Sequence, residues 1–264
     1  MNRSMPQRPN VQAHRGYSER YPENTLLAIE EALKVGADQI EIDVGLSADG
    51  HLVIIHDERV DRTTDGRGAV RDLTLEQLKQ LDAGSWKDPA FAGERIPTLS
   101  ETLEAVRGRA ALNIEIKSRD RPRQLVADTV KGLVALLPDA RDRTFVSSFD
   151  LETLLQVKAL DASLRLSLID WDEPSPTHDG LDDALAHQLH AWCPHPSLAD
   201  DARIERAVAA GAVVQVDVFQ SGFTDFARVP AWIDLGVTGF STNDPAALVA
   251  FLDQGDGRDT PRPR

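Results

Sequence analysis

Eight short runs rich in β-branched and aliphatic residues alternate with helical patterns along this chain, and that rhythm limits its fold more than any other feature. The runs are Val11–His14, Gln39–Val44, Leu112–Lys117, Thr144–Ser148, Leu164–Ile169, Leu189–Cys193, Val213–Val218 and Val237–Ser241. Helical patterns fall between them, near Asn24–Val35, Ser100–Arg107, Pro122–Leu137, Leu151–Leu160, Leu181–His187, Asp200–Ala210, Thr224–Leu235 and Pro245–Asp253. Such alternation implies parallel strands joined by crossover helices. Eight units in about 250 residues match a closed (β/α)8 TIM barrel. A doubly wound open sheet is the alternative, and eight strands is many for it.

One stretch breaks the rhythm. Between the second and third runs lie the 67 residues Gly45–Ala111. They hold a short apolar run, His51–His56, and turn signals at Asp49-Gly50 and Asp65-Gly66. Thr74–Leu81 reads as a short helix capped by Thr74, with Glu76 and Gln77 in its first turn. The stretch is expected to be an insertion over the catalytic mouth of a single domain, residues 1–254. The tail 255–264, GDGRDTPRPR, has the composition of a disordered segment.

Composition narrows the chemistry. Cys193 is the only cysteine, so an intrachain disulfide and thiolate-rich zinc sites are excluded. A metal would have to be held by oxygen or imidazole, which favours Mg²⁺, Ca²⁺ or Mn²⁺. A net charge of −14 argues against nucleic acid or an anionic membrane as partner, but not against a small anionic substrate. No apolar run reaches the roughly 20 residues of a membrane span, and the N-terminus lacks the apolar segment of a signal peptide. The expectation is a cytoplasmic protein acting on a small molecule. The sequence is silent on oligomeric state.

Active sites of such barrels sit at the C-terminal ends of the strands. There the chain places His14 and Arg15 on the first strand, Glu41 and Asp43 on the second, His56 on the run that follows, and Glu115 and Lys117 on the third. Residues two apart share a face of a strand. Ile40, Ile42 and Val44 are the set that packs against helices, so Glu41 and Asp43 face inward, and the same holds for Glu115 beside Ile114 and Ile116. Three inward carboxylates need compensation, either a divalent cation or a salt-bridge network with Lys117 and Arg15. Two histidines at strand ends suit proton transfer, since imidazole titrates near neutrality. A guanidinium fork and an ammonium beside them describe a phosphate site.

These residues fall in a recognisable order. HRG (14–16), PENT (22–25), EIDV (41–44), DG and VIIHD (49–57), RTTDGRG (62–68), LDAGSW (81–86), IPTL (96–99) and NIEIK (113–117) resemble the glycerophosphodiester phosphodiesterase family over about the first 120 residues. VSSF (146–149) and GFSTNDP (239–245) resemble it more loosely. The resemblance implies a (β/α)8 barrel that hydrolyses glycerophosphodiesters to glycerol 3-phosphate and an alcohol. It implies Mg²⁺ or Ca²⁺ held by Glu41, Asp43 and Glu115, His14 and His56 as general acid and base, and Arg15 and Lys117 on the phosphate. A lysophospholipid substrate, or a barrel that binds phosphoesters without catalysis, are the alternatives. The chain departs from the family at the seventh strand, where a WTVN-like segment carrying a pocket tryptophan is usual. Here the stretch reads VVQVDVFQSGF, residues 213–223, and alternation turns Gln215, Asp217 and Phe219 inward. Phe219, Phe149 and Trp192 are candidates for the missing aromatic wall.

Overall fold

The structure, a computed structural model, describes residues 8–117, 123–137, 140–170, 179–218 and 226–254. The tail 255–264, Phe219 and the start of the helix expected from Thr224 lie outside the described residues. In chain order the described strands are β1 (Asn10–His14), β2 (Gln39–Leu46), β3 (Leu52–Ile54), β4 (Ala111–Ile116), β5 (Thr144–Ser148), β6 (Arg165–Asp170), β7 (Ala191–Pro194), β8 (Val213–Asp217) and β9 (Gly239–Thr242). The helices are α1 (Leu26–Lys34), α2 (Leu75–Gln80), α3 (Leu99–Val106), α4 (Arg123–Leu136), α5 (Leu151–Leu160), α6 (Gly180–Ala186), α7 (Asp201–Ala209), α8 (Val229–Leu235) and α9 (Pro245–Asp253).

The sheet runs β1-β9-β8-β7-β6-β5-β4-β2, and the β1–β2 pairing closes it into an eight-stranded parallel barrel. The open-sheet alternative is therefore excluded. β3 stands outside the ring, antiparallel to the upper end of β2. The alternation read from the sequence sets the two sides of the wall. Ile40, Ile42, Val44, Ile114 and Ile116 are fully buried between barrel and helices, in one continuous core. Polar residues at alternate positions turn to the barrel interior.

Helix starts follow their caps. α1 begins at Leu26 rather than Asn24, because Asn24 has a left-handed φ of 59° and the Thr25 hydroxyl accepts from the Ala28 amide. α2 begins after Thr74 with a complete capping box closed by Gln77. The insertion carries a small core of its own, built from Val53, Ile55, Val60, Val70, Leu78, Ala83 and Ile96. That core anchors the loop bearing His56 against the end of β2, where the Ile55 amide donates to the Asp43 carbonyl. Among the described residues no helix is long and apolar enough to cross a membrane.

Ile114 lies between Ile42 on β2 and Val146 on β5, and all three are 0% exposed. Ile114→Ala should therefore cost about 2–5 kcal/mol. Denaturant unfolding would register it as a lower midpoint with an unchanged slope.

Candidate active site

Strand register decides which polar groups meet. His14 pairs with Glu41, Glu41 with Asn113, and Asp43 with Glu115. A one-residue slip would turn every carboxylate toward the helices, so the buried isoleucine face also fixes the polar face. At this end of the barrel lies a cavity of about 410 Å³, lined by His14, Arg15, Glu41, His56, Glu115 and Lys117, with further residues from β5 to β9. Asp43 sits in the wall beside it, 0% exposed. The seven residues singled out from the sequence are thus brought together.

Carboxylate oxygens of Glu41, Asp43 and Glu115 lie within 4.8 Å of one another. Of these oxygens Glu41 Oε1 is buried with no hydrogen-bond partner among the described residues, while Asp43 Oδ1 and Glu115 Oε1 are met by the Lys117 ammonium. The Lys117 ammonium stands 3.0 Å from Asp43 Oδ1 and 2.5 Å from Glu115 Oε1, and Arg15 Nε is 3.3 Å from Asp43 Oδ2. Two cations thus face three carboxylates. Burial, together with the neighbouring Asp43 and Glu115 charges, pushes Glu41 well above the ordinary glutamate range. Burial pushes Glu115 up as well. Asp43 goes the other way: burial opposes its ionisation, but Lys117 and Arg15 outweigh it. Three clustered, under-satisfied oxygen donors of this kind fit a hard divalent cation.

The PENT and RTTDGRG segments, matched in the sequence but given no part in the chemistry there, supply the supports. Asn24 donates from Nδ2 to Asp43 Oδ2 at 2.8 Å and accepts the Asp43 amide at 3.3 Å. Its backbone is left-handed at this position, with φ 59°. Arg15 is also left-handed, with φ 58°, and its amide donates to Glu41 Oε2 at 2.9 Å. Gly16 follows at φ 78°, and a Cβ there would lie 2.7 Å from the Ala28 backbone, which accounts for the glycine in HRG. Arg15 Nη1 donates to Glu23 at 2.9 Å. Arg62, from the insertion, donates to both oxygens of Glu23 (2.8 and 2.9 Å) and both of Asp57 (2.7 and 2.9 Å). A single guanidinium thereby ties the Arg15 support to the His56 support.

Both histidines are held through Nδ1. His14 Nδ1–H donates to Asn243 Oδ1 and His56 Nδ1–H to Asp57 Oδ1, each at 2.6 Å. An amide oxygen or a carboxylate can only accept, so the proton is on Nδ1 and Nε2 is the proton-accepting nitrogen of each ring. Burial, with the Arg15 charge adding to it, lowers His14 to about 3. Burial lowers His56 too. Asp57 is held down near 2 by its hydrogen bond from Arg62 and so stays ionised behind His56.

The seventh-strand departure also has a clear placement. Gln215 and Asp217 line the cavity with Phe149 and Cys193. Trp192, one residue from Cys193, points the other way. It is 0% exposed in the outer core, its indole N–H donates to Asp170 at 3.0 Å, and the Arg203 guanidinium covers its ring at 5.0 Å. Strand alternation therefore removes Trp192 as an aromatic wall and leaves Phe149 among the described candidates, with Lys117 Nζ 5.6 Å from its ring centre. Burial and the nearby Glu115 charge push Asp217 up to about 7.

The family model for glycerophosphoryl diester phosphodiesterases matches residues 14–247. The chain belongs to that family. It is 38% identical over 249 residues to a glycerophosphodiester phosphodiesterase of Caldanaerobacter subterraneus subsp. tengcongensis, covering 93% of this chain and 98% of the relative. It is 32% identical to a glycerophosphodiester phosphodiesterase of Bacillus subtilis, over 91% and 85% of the two chains. Among solved structures, a phosphodiesterase of Oleispira antarctica in complex with the product sn-glycerol-3-phosphate superposes with a TM-score of 0.82. It is 32% identical and covers 93% of this chain and 97% of that one. A glycerophosphodiester phosphodiesterase of Agrobacterium tumefaciens gives a TM-score of 0.77 at 30% identity, over 92% and 99%. This family member is an enzyme whose fold and acidic centre agree with that membership.

Because Glu41 and Glu115 are raised above the ordinary value of 4.5, the metal-free centre keeps proton density at pH values where free glutamates are ionised. Cation binding requires the carboxylates deprotonated, so it should release protons, and affinity should weaken as pH falls through the raised range. Mn²⁺ titrations by calorimetry, in two buffers of different ionisation enthalpy, should show buffer-dependent heats that report this release.

Proposed function

We propose that the chain is a metal-dependent hydrolase of glycerophosphodiesters, yielding glycerol 3-phosphate and an alcohol. The observation that carries this reading is the meeting, in one cavity, of the under-satisfied carboxylate triad with two Nδ1-anchored histidines and two cations. Family membership and the product seen in the Oleispira relative point to the same substrate class.

Glu41, Asp43 and Glu115 are the residues that would hold the cation, with Mg²⁺, Ca²⁺ and Mn²⁺ as the hard ions suited to an all-oxygen set. Once bound, such an ion supplies Lewis-acid charge to the phosphate. Arg15 and Lys117 bind the non-bridging phosphate oxygens and offset the charge that builds on them. The left-handed Arg15 backbone and the Glu23 contact set the guanidinium in place before substrate arrives. One histidine takes a proton at Nε2 from the nucleophile; the other enters as the imidazolium, protonated on both ring nitrogens, and gives its Nε2 proton to the departing alkoxide. Asn243 and Asp57 accept from Nδ1 in the neutral and in the protonated ring alike, which leaves Nε2 as the nitrogen that takes or gives the proton. Ion-pair neutralisation alone is the weaker account of the centre, because it gives the two oriented imidazoles no task.

Metal-stripped protein should release glycerol 3-phosphate from glycerophosphocholine or glycerophosphoethanolamine only when Mg²⁺, Ca²⁺ or Mn²⁺ is restored, read by a coupled dehydrogenase. His14→Ala and His56→Ala should each lower turnover by at least about 100-fold with the fold intact. Absence of release with every cation, or near-normal activity in either histidine variant, overturns the reading.

Arg62 is a positioning residue in this scheme, acting through Glu23 and Asp57. Arg62→Met should lower kcat by about 10- to 100-fold, by analogy with losses of supporting contacts around metal centres, while Mn²⁺ affinity stays within a few-fold of wild type. Arg62→Lys should recover only part of the loss, since an ammonium cannot bridge two carboxylates as a planar fork does.

A further inference from the structure

The cavity has a second polar region that the reaction scheme leaves unused. The Gln215 side chain is 8% exposed, faces the cavity and makes no hydrogen bond among the described residues. Two positions along β8, the Asp217 carboxylate faces the same space. Asn113, also on the cavity wall and 5% exposed, has an Oδ1 that accepts no hydrogen bond. Buried polar atoms are normally paired, so two amides with unpaired atoms beside a cavity-facing carboxylate point to a ligand that pairs them.

Asp217 is not loose. Asn113 Nδ2 donates to Gln12 Oε1 at 3.1 Å, Gln12 Nε2 donates to Ser241 Oγ at 3.0 Å, and Ser241 in turn hydrogen-bonds the Asp217 carboxylate. Each donor in this chain points toward Asp217, so the row of side chains across β4, β1 and β9 fixes the carboxylate while its remaining lone pairs face the cavity.

We propose that Gln215 and Asp217 are the specificity-determining residues of the cavity, and that the group they bind is a vicinal diol on the half of the phosphodiester that stays with phosphorus. The proposal rests on the phosphodiesterase reading above and deepens it. The wall offers acceptors at Asp217, Gln215 Oε1 and Asn113 Oδ1, and one donor group at Gln215 Nε2. Each hydroxyl both donates and accepts, so two adjacent hydroxyls satisfy acceptors and donor together. A quaternary ammonium has no hydrogen to give, and an alkyl chain leaves the whole set unpaired. The wall takes the place of an aromatic surface, and it reads hydroxyls by hydrogen bonds instead of stacking on a carbon skeleton.

The test uses two chromogenic diesters, the p-nitrophenyl esters of glycerol 1-phosphate and of propane-1,2-diol 1-phosphate. They differ by the terminal hydroxyl alone and both keep the hydroxyl next to the phosphate, so any role of that hydroxyl in the chemistry cancels. With metal present, wild type should favour the glyceryl ester in kcat/KM by at least about 100-fold, because a site built to pair a hydroxyl rejects the analogue that lacks it. Asp217→Leu should cut that ratio at least tenfold, chiefly through KM, and Asp217→Asn, which keeps an acceptor in the same place, should retain most of it. Should Asp217→Leu fail to fold, calorimetry on wild type with sn-glycerol 3-phosphate and propane-1,2-diol 1-phosphate gives the same comparison, with tighter binding of the former expected. A wild-type preference below about threefold in both assays, or a ratio unchanged in Asp217→Leu, overturns the diol subsite. Failure to release p-nitrophenol from either ester with any cation counts against the phosphodiesterase reading instead, and the calorimetric pair then still decides the subsite.

Discussion

Three carboxylates buried side by side are the constraint around which this molecule is organised. Away from water, Glu41, Asp43 and Glu115 repel one another, and each is costly to ionise without a compensating charge. Lys117 and Arg15 supply two positive charges, and the structure places both in contact with Asp43. The balance is uneven: Asp43 is held ionised while Glu41 and Glu115 are pushed toward their protonated forms. With all three ionised the centre is one positive charge short, and Glu41 Oε1 accepts no hydrogen bond among the described residues, so the donor set fits a cation.

The rest of the upper barrel holds this centre in shape. Arg15 and Asn24 both occupy left-handed backbone, uncommon for residues with side chains and maintained here by hydrogen bonds to Glu41 and Asp43. The insertion adds a second tier. Its small core fixes the loop after β3, and Arg62 then links Glu23 to Asp57, so the support of Arg15 and that of His56 share one guanidinium. Exposed ion pairs of this sort add little to stability. Their value here lies in orientation, because they hold Arg15 and His56 in place at the edge of the cavity.

The cavity exists because the barrel interior is not filled in the usual way. The inner face carries Ser147 on β5, Ser167 on β6 and Ala191 on β7, paired in register with Glu115. Bulky branched residues commonly fill such layers. Small side chains on this side leave room, and the amides and carboxylate of β8, β1 and β4 line it. The result is one chamber with the carboxylates, cations and histidines at one end and the polar side chains of β8 along its wall.

Much of this was legible in the sequence. The alternation of apolar runs determined the barrel, and the two-residue spacing in Glu41–Asp43 and Glu115–Lys117 determined that the first three face inward, because a strand turns successive side chains to opposite faces. Histidine, arginine and lysine at strand ends marked where polar groups gather at the mouth of the barrel. The sequence alone also marked Gln215 and Asp217 as inward-facing. Tertiary structure decided what spacing cannot carry: that Asn243, 229 residues from His14, orients it, that Arg62 bridges Glu23 and Asp57, and that Trp192 belongs to the outer core. Those contacts join segments far apart in the chain, and their geometry follows from barrel closure and register. Periodicity reports which face a residue occupies, whereas only the closed sheet determines which residues from different strands share a space.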